Sequence, residues 1–306
     1  MSVDVLHAIT FYVFAPIYSF VLGALFYWAF RKIRARLQAR RGPPWYQTFA
    51  DIVKLFSKET MIPEIANKTV FILAPILALT GYASALLQMP LGNLYPPFPG
   101  DLIVVLIFLI LPGVAVVLGG MASGSPYGTI GASRETMLLL VGEICFVISA
   151  LVAGIQFKSM NIIDIVHGQQ QFGPLAFHYP FATVAFFAGV LLKLGRKPFD
   201  IPDAEVEIVA GPYTEYSGPL LGIFEVSNAL RWFVVPALTV NLFFAGGLGN
   251  PVMFLLICVI LVVLVSVIDA VNARFRIDQA FEFILTWATL LAIIDIIRAT
   301  TGWTLW

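Results

Sequence analysis

Apolar runs close to the ~20 residues that carry a helix across a bilayer core recur along this chain. They lie near residues 8–30, 70–89, 102–121, 137–157, 180–194, 220–245, 252–271 and 280–300. The fifth is short, and the ~10-residue alternating segments of a membrane barrel are not seen. Composition agrees that the main solvent is lipid. Hydrophobic residues fill 59% of the 306 positions and charged residues only 12%, with a mean hydropathy of +0.91. An ordinary soluble domain carries about 25% charged residues. The sequence therefore predicts an all-α polytopic membrane protein, a bundle of eight transmembrane helices forming a single domain over 1–306. The first run is long, has no basic stretch before it and is followed by arginines, so it reads as a retained anchor rather than a signal peptide.

Charge placement tests that count. With eight crossings, the segments 31–69, 122–136, 193–219 and 272–279 share one side, and they hold fifteen of the 18 Lys and Arg residues. Only Lys158 and Arg298 fall opposite, while Arg231 lies within a run. The positive-inside rule then places these four loops in the cytoplasm and both termini outside, as for a multi-pass protein of the cell membrane. Zero formal net charge gives no global reason to expect a nucleic-acid partner. Cys145 and Cys258 sit inside apolar runs and read as small buried hydrophobes.

The first basic loop contains the breaker Gly42-Pro43-Pro44, after which Trp45, Phe49, Ile52, Val53 and Phe56 recur at three- and four-residue intervals. That pattern predicts a cytoplasmic amphipathic helix between the first two spans, lying on the membrane or against a partner protein. In the third basic loop, Asp200, Asp203, Glu205, Glu207 and Glu215 are interleaved with Phe199, Ile201, Val206, Ile208 and Val209. Carboxylates held among apolar residues need partners or a proton, which makes them candidates for an ion pathway or a docking site. No recognisable ligand spacing points to a metal. Within the spans lie Glu143, Glu225, Arg231, Asp269 and Asp295. Intramembrane charges are costly and, when several occur, are expected to line a hydrated interior. Glu225, Asn228 and Arg231 follow one helix face, where a local ion pair and a proton relay are both open. Phosphate loops, dinucleotide turns, Cys/His metal spacings and nucleophile elbows are all missing.

Longer motifs in the basic loops resemble a known family. Arg196, Pro198-Phe199-Asp200, Pro202, Ala204-Glu205, Glu207, Val209-Ala210-Gly211 and Thr214-Glu215-Tyr216-Ser217-Gly218 follow R-x-P-F-D-x-P-x-A-E-x-E-x-V-A-G-x-x-T-E-Y-S-G. Gln38, Arg40 and Gly42-Pro43, then Ala50-Asp51, Lys54-Leu55 and Lys58-Glu59, resemble Q-x-R-x-G-P and A-D-x-x-K-L-x-x-K-E. Arg274, Arg276 and Asp278-Gln279 resemble R-x-R-x-D-Q, and Ala132, Arg134 and Glu143 fit an arginine-to-glutamate spacing. The chain is similar to the H subunit of respiratory complex I (subunit 1 in mitochondria), whose relatives serve membrane-bound nickel–iron hydrogenases and sulfane-sulfur reductases. Lys193-Leu194-Gly195 stand where quinone-reducing members have Glu-Thr-Asn, Asn228 replaces a family glutamate, and Leu285 and Thr286 replace Trp-Lys.

The resemblance implies a membrane-anchor and coupling component of a ferredoxin-linked complex, of the hydrogenase or sulfane-sulfur reductase type, without catalysis of its own. Implied partners are iron–sulfur and hydrogenase-like peripheral subunits, antiporter-like membrane subunits and membrane lipid. No cofactor is expected on this chain, iron–sulfur clusters belong to the partners, and lipid is a candidate occupant of the chamber region. Glu143, Asp200, Asp203, Glu205, Glu207, Glu215, Glu225, Arg231 and Asp269 are the implied proton or ion pathway. Arg36, Arg40, Arg41, Asp51, Lys54, Arg134, Lys193, Arg196, Arg274, Arg276 and Asp278 are the implied contacts with the peripheral arm. Lys193 and Lys197, if helical, would share a face and pair with Asp200, Asp203 or Glu205. A quinone-reducing member of complex I is the alternative within the family, and a stand-alone secondary transporter the alternative outside it.

Overall fold

The computed structural model describes residues 2–92, 94–97, 100–202 and 205–302, with side chains from residue 11 onward except at 205, 206 and 248. Asp203 lies outside the described residues, as does the side chain of Glu205. The described chain is helical throughout, with two isolated bridges, Leu91 to Leu94 and Asp101 to Asn161, and no sheet.

Seven helices among the described residues are long and apolar enough to cross a membrane. They are α1 (Ser2–Leu37), α3 (Lys68–Leu86), α4 (Leu102–Ala122), α5 (Pro126–Phe157), α10 (Gly218–Phe243), α11 (Pro251–Val271) and a final rod over Ile277–Thr301. In that rod, α12 (Ile277–Glu282) passes through a π-helical turn (Phe283–Ala288) into α13 (Thr289–Thr301). The fifth apolar run folds as the shorter α8 (Pro180–Lys193). Between the long helices lie α2 (Gln47–Phe56), α6 (Ile162–Phe172), α7 (Leu175–His178) and α9 (Glu205–Ile208).

α10 is the axis of the bundle. Its most apolar stretch is 72% buried, against 33% in α11, whose Leu256, Ile260 and Val263 face outward. Close approach to α10 requires small residues. At Gly23 of α1 an added Cβ would run into the Ala229 carbonyl. Prolines lie inside α1, α3, α4 and α10 at 16, 75, 112 and 236, and at Pro75 the freed Phe71 carbonyl accepts from the Tyr216 hydroxyl.

Two expectations shift. The segment 122–136 is not a loop: Pro126, favoured at a helix start, opens α5 early and brings Arg134 and Glu135 into its first turns. The segment 31–69 also carries more helix than expected, because α1 runs on to Leu37. The amphipathic stretch does form a helix, α2, with Thr48 and Ile52 buried and Val53 and Phe56 exposed.

Candidate functional site

The loop between α8 and α10 is fastened by cations from elements distant in sequence. Arg134 of α5 donates to Glu207 at 2.8 Å, and Arg274, beyond α11, donates to Asp200 at 2.9 Å. Asp269, 1% exposed, meets Arg34 of α1 at 3.0 Å and accepts the Lys197 backbone N–H at 3.1 Å. Phe275 N–H donates to the Pro198 carbonyl at 2.9 Å. The Arg134 hydrogen bond, helped by its charge, holds the exposed Glu207 carboxyl below its usual range. Further along the loop, Tyr216 stacks on Phe71 at 4.0 Å and donates to its carbonyl at 3.0 Å, and burial pushes the phenol up.

Arg196 does not reach outward to a partner. Its guanidinium lies 4.6 Å from the Phe30 ring centroid, 5.4 Å from Trp232 and 5.6 Å from Tyr27, with Nε buried and lacking a hydrogen-bond partner. Guanidinium faces are weakly hydrated and stack on aromatic rings, so this cation is retained inside the helix ends.

Beneath that loop a cavity of about 530 Å³ is lined by Arg34, Arg196, Lys197, Arg231 and Arg274, with Asp200 and Glu225. It shares Tyr27 and Glu225 with a cavity of about 260 Å³ under α2, where Arg31, Asp51, Lys54 and Lys58 gather. On the inner side it shares Asp200, Tyr213, Phe224, Asn228 and Arg231 with a narrow space of about 70 Å³ that reaches Glu135 and Glu143. Through these shared residues the three spaces adjoin one another, from α2 to Glu135 and Glu143 between α4, α5 and α8.

In the series Glu225, Asn228, Arg231, both Nε and a terminal nitrogen of Arg231 donate to Asn228 Oδ1, at 3.1 and 2.6 Å. Asn228 thus holds the arginine from one turn earlier on the same helix face. Lys193 departs further from expectation. Its side chain is 8% exposed and turns inward to Glu143 and the Leu109 carbonyl, away from Asp200. α8 ends at Lys193 and the chain reverses at Gly195 (φ +61°), so Lys193 and Lys197 do not share a helical face. A peripheral-arm contact by Lys193 does not fit that burial.

The remaining residues separate cleanly. Arg36, Arg40, Arg41, Lys54, Arg276 and Asp278 lie at the basic end, largely open to solvent, and Asp51 is bridged to Arg31 at 3.8 Å. Glu215 is half-buried beside Tyr216. Sequence reasoning misses two cavity residues. Glu135 falls in a stretch that reads as loop, and Tyr82 gives no signal beyond an aromatic in an apolar run. No cluster of three potential metal ligands occurs among the described residues.

The family model described as NADH dehydrogenase matches residues 9–300. The chain belongs to that family. The second H subunit of NADH-quinone oxidoreductase from Syntrophobacter fumaroxidans is 32% identical over 309 residues, covering 94% of this chain and 92% of its own. The corresponding H subunit from a Geobacillus species is 38% identical over 236 residues, 74% of this chain and 69% of its own. Among solved structures, a chain of the membrane-bound sulfane sulfur reductase, an archaeal respiratory membrane complex, superposes with a TM-score of 0.88. It is 28% identical, and the match covers 95% of this chain and 99% of that one. The protein is thus a multi-pass membrane component, homologous to the H subunit of complex I, and an anchor within a larger oxidoreductase.

Proposed function

We propose that this chain couples electron transfer in a docked iron–sulfur module to proton or sodium translocation, in a ferredoxin-linked complex of the sulfane-sulfur reductase or hydrogenase type. The observation that carries the coupling is the run of cavities joining the basic face to Glu143. A redox change in a module on that face alters the field across the cavities, and buried acids respond by exchanging protons. Asp200, Glu207 and Asp269, each held by an arginine, fix the loop that roofs the route, with Glu225 and Arg231 along it. Asp203, Glu205 and Glu215 are assigned to the same loop from the sequence motif.

The bundle makes eight crossings in this reading, with α8 as the fifth, shortened because α6 and α7 complete its outer side. Both termini lie outside the cell membrane and α2 lies along the cytoplasmic surface. Arg36, Arg40, Arg41, Lys54, Arg276 and Asp278 meet the peripheral subunits, and antiporter-like subunits pack laterally. Lipid is the proposed occupant of the 530 Å³ cavity. The sulfane-sulfur reductase superposition and the lysine at position 193 support this branch. The quinone-reducing reading is favoured instead by the names of the bacterial relatives.

Purification of the intact complex decides between them. Co-purifying iron–sulfur subunits, ferredoxin-linked turnover unaffected by quinone-site inhibitors, and no bound quinone are expected. Stoichiometric quinone with inhibitor-sensitive quinone reduction would reverse the assignment. Isolation as a fully active monomer would support the transporter alternative.

A further inference from the structure

The 530 Å³ cavity beneath the α8–α10 loop is unevenly charged. Arg34, Arg196, Lys197, Arg231 and Arg274 face two acids, Asp200 and Glu225, among the described residues. Arg34 is paired with Asp269 and Arg274 with Asp200, so those two cations are balanced. Glu225 hydrogen-bonds Asn228 and is shared electrostatically by Arg231, Arg31 and Arg196. One carboxylate is thus divided among three guanidiniums, of which Arg31 also meets Asp51 at 3.8 Å. Arg196 rests on aromatic faces, and its guanidinium makes no hydrogen bond to the described residues. Lys197 gives its backbone N–H to Asp269, and its amine has no partner among the described residues.

A partly buried cation without a counter-charge is costly, and an anion beside it lowers that cost. The cavity volume lies within the ~300–1,000 Å³ of pockets that hold small organic ligands. Its wall is not wholly polar, since Tyr27, Leu221 and Phe224 border the same space. Leu221 also borders a neighbouring space of about 390 Å³ between α2 and α10, with Leu55, Met61 and Tyr216. Cationic and apolar walls side by side suit an amphiphile with an anionic head. Guanidinium and ammonium groups both bind phosphate oxygens strongly, the first as a planar fork and the second as a point charge.

We propose that this cavity binds a phosphate-bearing anion, supplied in the membrane by the headgroup of an acidic phospholipid. Arg196 and Lys197 are its main counter-charges, and Leu221 and Phe224 border the apolar part of the ligand. A neutral or zwitterionic head leaves the excess positive charge in place, so acidic lipids are preferred. The inference rests on the lipid occupancy proposed above and adds the charge of the headgroup and the residues that select it.

Native mass spectrometry of the purified complex tests this, after detergent washing has removed loosely held lipid. The wild type should retain one acidic phospholipid that Lys197→Glu loses, and Lys197→Arg should keep it. Lys197→Gln, a milder change that serves if Lys197→Glu does not assemble, should lower retention about fivefold. The stripped complex is then titrated with phosphatidylglycerol micelles, phosphatidylcholine micelles or inorganic phosphate, with melting temperature as the readout. Phosphatidylglycerol should raise the melting temperature of the wild type and phosphatidylcholine should not, a contrast that decides alone if neither variant assembles. A response to inorganic phosphate without any retained lipid would support the anion site, with a soluble source, and overturn the lipid occupancy. Retention of a neutral or zwitterionic lipid instead would overturn the anionic site and leave the lipid occupancy standing. Equal retention of acidic lipid in the wild type and the Lys197→Glu or Lys197→Gln complex would overturn the assignment to this cavity.

Discussion

Two buried ion pairs sit at opposite ends of α8, and their surroundings differ in kind. At the N-terminal end Asp295 of α13 pairs with Arg298 and accepts the Ala182 N–H at 2.7 Å, so both carboxylate oxygens are used. Arg298 also donates to the His178 carbonyl at 3.1 Å and lies over the Tyr179 ring. A carboxylate at the helix N-terminus is favourable for the macrodipole as well. Neither residue lines any of the cavities described above. At the C-terminal end Lys193 and Glu143 border a polar space, and one carboxylate oxygen has no partner. A fully satisfied pair walled in by protein locks two helices together. A half-satisfied pair beside a cavity leaves one carboxylate oxygen that nothing in the described bundle holds.

The largest effect should come from breaking the satisfied pair. Asp295→Ala leaves Arg298 charged and buried, a loss of about 3–5 kcal/mol. A lower melting temperature and a lower yield of assembled complex are expected. Removing both charges should recover much of the loss, with ion translocation per electron unchanged in whatever assembles. Loss of coupling in complexes that assemble normally would erase the distinction between the two ends.

A smaller effect is expected at the loop that roofs the cavities. Tyr216→Phe keeps the stack on Phe71 but removes the donor to its carbonyl, costing about 1 kcal/mol. Hydrogen exchange should speed up around Tyr216 and Phe71 while the α8 N-terminus stays protected.

The smallest effect concerns pH. Because Arg134 depresses the Glu207 carboxyl, the Glu207 contribution is complete above the ordinary carboxylate value of about 4.3 and fades as pH falls through the lowered one. Being exposed, the pair adds little to global stability. Proteolytic access to the loop near Glu207 should rise only on strong acidification, and Glu207→Gln should make that access insensitive to pH.

These contrasts also mark how far the sequence alone can be read. The long apolar runs are legible because bilayer thickness sets helix length, and the loop motifs carry the family. The partners of the loop charges are not. Glu207, Asp200, Asp269 and Lys193 bond to groups 50 to 74 residues away, beyond the reach of helical spacing rules. Helical spacing directs Lys193 toward Asp200 only if α8 continues, whereas the turn at Gly195 ends it and Lys193 points inward. Glu135 escapes notice because Pro126 starts α5 earlier than the apolar run suggests. Asp295 stands out as an intramembrane charge, but its satisfaction by a backbone N–H 113 residues away leaves no trace in the sequence.

The coupling proposal stands or falls on Glu143, placed on the route between redox chemistry and ion movement. The most direct test is ions moved per electron in proteoliposomes containing the purified complex, with Glu143→Gln against wild type. Assembly and electron transfer should survive in large part while the ratio collapses. An unchanged ratio in a fully assembled Glu143→Gln complex would contradict the proposal and leave Glu143 a structural partner of Lys193.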